Sequence, residues 1–294
     1  MATSQLACLT GVSDDILLKL GEACSNVLAP QALAHLVATS RRTRTMLRPM
    51  LKELCEFRAQ VQTLCSKERS ENRISLSALT TEIVLHWGNC ELTLAEITAL
   101  GRLLQKGLLP RLHYLVLDGN QISDEGCAAL VQGLLKGAMD NTGKLIIARN
   151  HIGDVGMQAL ASAVASGALD RLSWLSLERN VIGNEGMQAF AVAIAGGSLT
   201  SLDFLDFNDN QIGDTGIRSF SEAIAKGAMA NLKVLNLSKN MIGGEGMTAF
   251  ASAIASGALA SLKRLYMGGN PRHSEGVQEH QGLEAACAVR GIKL

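Results

Sequence analysis

Asparagine returns every thirty residues through most of the chain, at Asn120, Asn150, Asn180, Asn210, Asn240 and Asn270. The residues around it return with it. The pattern LxxLxLxxNxIxxxG runs through Leu172, Leu175, Leu177, Asn180, Ile182 and Gly186, then through Leu202, Leu205, Phe207, Asn210, Ile212 and Gly216. A further copy holds Leu232, Leu235, Leu237, Asn240, Ile242 and Gly246. One step back from Asn120 lies Cys90, with Leu85, Trp87, Leu92, Leu100 and Leu104 in phase, giving seven units from residue 82 to about 290. A fixed period of this length leaves little freedom. Each unit is one supersecondary element that cannot bury its apolar face alone, so it must stack on its neighbours.

Within a unit the hydrophobic period changes from two to about 3.6. The xLxLx segment reads as a short strand with one buried face. In the run GMQAFAVAIA, Met187, Phe190, Ala191 and Ile194 share a helical face, and Asn184 stands where an N-cap is expected. Strand, helix and parallel strand make a right-handed crossover. Strands spaced ~4.8 Å apart against helices spaced ~8–10 Å predict a stack that curves, strands inside. The turn residues Asn120, Asn150, Asn180, Asn210, Asn240 and Asn270 can bond backbone groups that the sheet leaves unused, and Cys90 only weakly. After Asn270 the pattern dissolves, and Glu275 to Leu294 reads as a closing helix and strand stub.

This pattern resembles the leucine-rich repeat family, and the thirty-residue unit is similar to its ribonuclease-inhibitor-like class, shared by NOD-like receptors and Ran GTPase-activating proteins. The resemblance implies an α/β solenoid, a horseshoe over residues 82–294 that ends in a C-terminal cap. Residues 1–81 lack the period and read as a small helical segment. Its first helix carries Ile16, Leu17 and Leu20, its second Leu33, Leu36 and Val37, and its third Met46 through Val61 and Leu64. The stretch VSDDILLKL…LAHLVATSRRTRTML resembles the F-box, with Val12-Ser13 for its usual Leu-Pro and Thr43 for an aromatic. That resemblance implies that Ile16, Leu17, Leu20 and Leu36 dock on the adaptor subunit of a cullin-type ubiquitin ligase, with the repeats holding its substrate. The alternative is a stand-alone scaffold or GTPase regulator whose helices only cover the first repeat.

Other classes find little support. The 27 basic and 27 acidic side chains balance, so no overall charge draws the chain to nucleic acid or an anionic membrane. The seven cysteines form no CxxC and no even framework, the start carries no secretory leader pattern, and no apolar run approaches a membrane span. A monomer in the cytoplasm or nucleus is expected. The six histidines form no metal-binding motif, and no phosphate loop follows the glycine pairs. Neither catalysis nor a cofactor is expected.

The informative surface is the strand face turned from the leucines. Six residues before each turn, the column reads Val84, Tyr114, Lys144, Trp174, Phe204, Val234, Arg264. Four before, it reads His86, Val116, Ile146, Ser176, Asp206, Asn236, Tyr266; two before, Gly88, Asp118, Ala148, Glu178, Asn208, Ser238, Gly268. Three of the four Trp and Tyr side chains fall here. Tyr114, Trp174, Phe204 and Tyr266, with Glu178 and Asp206 setting polarity, are therefore the expected protein-binding residues. The same rings could instead serve the sheet as cross-strand pairs.

Overall fold

The computed structural model describes residues 82–135, 143–271 and 277–294, with positions 56, 59–61 and 63. Short strands alternate with helices in the order β1 (Val84–His86), α1 (Leu94–Gln105), β2 (Tyr114–Val116), α2 (Asp124–Leu134), β3 (Lys144–Ile146), α3 (Asp154–Ala165) and β4 (Trp174–Ser176). They continue as α4 (Asn184–Ala195), β5 (Phe204–Asp206), α5 (Asp214–Ala225), β6 (Val234–Asn236), α6 (Gly244–Ala255), β7 (Arg264–Tyr266) and α7 (Val277–Val289). The strands form one open parallel sheet in chain order, each residue facing its counterpart thirty positions on, as Trp174 faces Phe204.

The central strand leucines, Leu85, Leu115, Leu145, Leu175, Leu205, Leu235 and Leu265, are all fully buried on the helix side. Helix residues complete the layer. Phe190, Phe220 and Phe250 stand one behind the other with centroids 6.5 and 6.3 Å apart, and Phe190 meets Phe207 edge-on at 5.5 Å. Each helix packs on its neighbours in sequence, as a solenoid requires.

The turn asparagines form a ladder. Asn180 Nδ2 donates to the carbonyls of Leu177 in its own unit (3.0 Å) and Ile147 in the unit before (3.1 Å). Its Oδ1 accepts the N–H of Ile152 at 3.0 Å. The same geometry recurs from Asn120 to Asn270, and all six side chains are buried. Cys90, at the first turn, has only a thiol to offer, and its Sγ donates to the Gly88 carbonyl at 3.4 Å.

Helix starts depart from expectation. Asn184 does not cap its own helix: it is the first residue of α4, and the N-cap is Gly183, which has no side chain to offer. Instead Asn184 Oδ1 accepts the N–H groups of Gly213 (2.9 Å) and Gly216 (2.8 Å), at the start of α5. Asp124 does the same for Gly153 and Gly156, Asp154 for Gly183 and Gly186, and Asp214 for Gly243 and Gly246. Two orphan donors of each helix are thus satisfied by the preceding unit. The starts of α1 and α2 carry their own Thr93 and Ser123 caps; the relay begins with Asp124 of α2 and stops at α6, where the corresponding residue is Gly244.

After α7 the chain adds a single bridge, Lys293 beside Arg264, to the sheet edge. Arg290 turns its guanidinium onto the carbonyls of Ile254, Ala258 and Leu259, at and just beyond the end of α6, where cations suit the negative dipole end. At the other end, helical Val61 is fully buried and joins the common core. The docking residues Ile16, Leu17, Leu20 and Leu36 lie outside the described residues.

Candidate recognition face

Because the central leucine of every strand faces the helices, its two neighbours face the other way. That alternation builds three rows across the open side of the sheet. In the first, Trp174 and Phe204 stack with centroids 3.6 Å apart and planes 14° from parallel. Lys144 sits between Tyr114 and Trp174, its Nζ 5.1 Å and 5.0 Å from their ring centroids. Tyr114, Lys144, Trp174 and Phe204 therefore form one continuous row on four adjacent strands. Tyr114 is exposed, and the other three are half-buried. Lys144 was legible as a column member but not as part of an aromatic site; its place between two aromatic positions of the column was the available signal.

Tyr266 is exposed but sits on β7, two strands beyond Phe204 and apart from the row. Glu178 is half-buried, held by Asn208 Nδ2 at 3.4 Å and facing Arg179 Nε at 3.6 Å. Asp206 differs from expectation. It is buried, at 8% exposure, and its Oδ1 accepts the N–H of Asn208 at 2.8 Å. Burial pushes its carboxyl above the ordinary value, and the Glu178 charge pushes the same way, while hydrogen bonds from Asn208 and Asn236 pull it down. The reason is local: an aspartate four residues before the turn is short enough to bond the backbone two residues on. Asp206 thus holds the strand's exit through the Asn208 N–H.

No group of His, Cys, Asp and Glu among the described residues could hold a metal, and no described helix is long and apolar enough to cross a membrane. A leucine rich repeat family model matches residues 110–131, 144–161, 174–191, 198–221 and 228–251. These units are leucine-rich repeats. No curated protein sequence matches the chain. Solved structures with similarity include a TDR receptor (18% identity, 64% of this chain and 26% of that one, TM-score 0.34). An internalin from Listeria monocytogenes matches at 16% identity over 78% of this chain and 86% of its own, with TM-score 0.26. A TLR13–ssRNA13 complex matches at 16% identity over 70% and 33%, with TM-score 0.33. The chain thus spans about a quarter of the length of the TDR receptor it matches. Leucine-rich repeats are a protein-interaction scaffold, and the aromatic row lies on their open sheet face.

Proposed function

We propose that the chain is a non-catalytic recognition module that holds a protein partner on its open sheet face, as substrate receptor of a cullin-type ubiquitin ligase. One observation carries the recognition half: Tyr114, Trp174 and Phe204 stand on the side of the sheet away from the leucine core, where large rings are not needed to close it. Support for the ligase half is the F-box-like order of Ile16, Leu17, Leu20 and Leu36 ahead of the repeats. A second reading, a stand-alone scaffold or GTPase regulator, is favoured by Val61, whose burial in the common core suits helices that only cover the first repeat. The test is affinity purification of the full chain from native lysate, followed by binding of the purified adaptor. Adaptor in the eluate, lost in Leu17→Asp and Leu36→Asp variants with native circular dichroism, selects the ligase reading. Wild-type chain that never binds an adaptor from its own cell type defeats it.

A further inference from the structure

We propose that the segment recognised on this face presents an acidic side chain, Asp or Glu, to the ammonium of Lys144, next to a large apolar side chain that packs on the Trp174–Phe204 pair. The inference rests on the recognition reading above and specifies its partner. Tyr114 and Trp174, on the strands either side of β3, hold the ammonium at 5.1 and 5.0 Å from their centroids. Such contacts attract a cation through the ring quadrupole but supply no lone pair, so the three N–H donors still need an acceptor. Among the described residues no carboxylate pairs with Lys144. Arg179, by contrast, is paired with Glu178 and Asp209 at 3.6 and 3.3 Å, and Lys233 with Asp203 at 2.8 Å.

The acids of the same face lie elsewhere. Asp118 and Glu178 occupy the row four residues farther along the strands, about 13 Å away at ~3.3 Å per residue, and Asp206, in the row between but two strands off on β5, is turned onto the Asn208 N–H. The first row is therefore a cation set in aromatic surface, bordered by exposed Val84. Charge complementarity selects a carboxylate for it, and the adjoining stacked pair selects an apolar neighbour. Confinement between two rings also reduces the freedom Lys144 must give up when a carboxylate arrives.

The probe is a displayed library of random dodecapeptides selected on the immobilised full chain. The expected winners carry Asp or Glu within two residues of Leu, Phe or Trp. Lys144→Gln should weaken a winner about tenfold, as should Asp→Asn in the peptide, and the two changes together should weaken it little further. Selection on Lys144→Glu should yield Lys or Arg instead. Thermal melting of both variants near that of wild type confirms that the face is intact. Winners without acidic enrichment, no winners at all, or winners indifferent to Lys144→Gln overturn the proposal. Basic winners that depend on Trp174 would overturn the carboxylate while leaving the recognition face standing, whereas winners indifferent to both residues remove that face as well.

Discussion

Removing the Asp154 carboxylate should damage the start of α4, the helix after its own. Its Oδ1 accepts the N–H groups of Gly183 at 2.7 Å and Gly186 at 2.8 Å. Asp154→Ala takes away the acceptor for both, and cap losses of this kind cost about 1–2 kcal/mol. Asp154→Asn keeps an oxygen in place, as Asn184 does one unit on, and should cost less than about 0.5 kcal/mol. A rival account, in which Asp154 only complements the dipole of α3, predicts that Asn loses as much as Ala, because the charge disappears in both. A second substitution sharpens the contrast. A Cβ added at Gly183 would stand 3.0 and 3.2 Å from the Asp154 carboxylate oxygens and meet nothing else closely. Gly183→Ala should therefore destabilise the wild type by about 1 kcal/mol. In the Asp154→Ala background it should become neutral or slightly stabilising, since the extended backbone there accepts alanine. Urea midpoints of the four chains give the coupling, and amide exchange locates it. Faster exchange should appear at Gly183 and Gly186, with Gly153 and Gly156 unchanged. Failure of Asn to rescue, or faster exchange confined to the first turn of α3, would refute the relay.

Three other outcomes follow from the same geometry. Asn180→Ala strips the acceptor from the Ile152 N–H and the donor from two buried carbonyls, so it should lower stability by about 2–3 kcal/mol, read from the denaturation midpoint. Burial first, and the Asp124 charge second, push the Cys127 thiol from 9.0 to about 12. The folded state then holds a proton that the unfolded chain loses above pH 9.0, so this contribution is complete below that pH and drains away as pH rises toward 12; Cys127→Ala should flatten that limb of a stability–pH profile. Trp174→Ala should cost about 1–2 kcal/mol in melting, because the ring is stacked on Phe204 as well as available to a partner, and should weaken the partner about thirtyfold; unchanged affinity would assign the ring to the sheet alone.

The period made the architecture legible. Every strand falls where the leucine column put it, and the asparagines at the turns are buried. What stayed hidden is what the period itself conceals. Asp154 and Asn184 recur every thirty residues, so sequence alone cannot say whether such a side chain serves its own helix or the next. Geometry decides it, through the absence of a side chain at Gly183 and Gly213. Alternation likewise turned Asp206 outward, but could not show that its short carboxylate would fold back onto Asn208. Lys144 looked like an ordinary solvated charge until the strand register set it between two rings.

The two sets of interunit bonds lean in opposite directions, and this limits how the chain can be cut or lengthened. Asn180 reaches back to Ile152, whereas Asp154 reaches forward to Gly183 and Gly186. A break between those units would leave an orphan N–H on the upstream fragment and an uncapped helix on the downstream one. A unit duplicated in phase behind α3, α4 or α5 would find both partners waiting. One grafted behind α6 would meet Gly244, which has nothing to lend, and its helix would begin without an acceptor unless that glycine were exchanged for aspartate or asparagine.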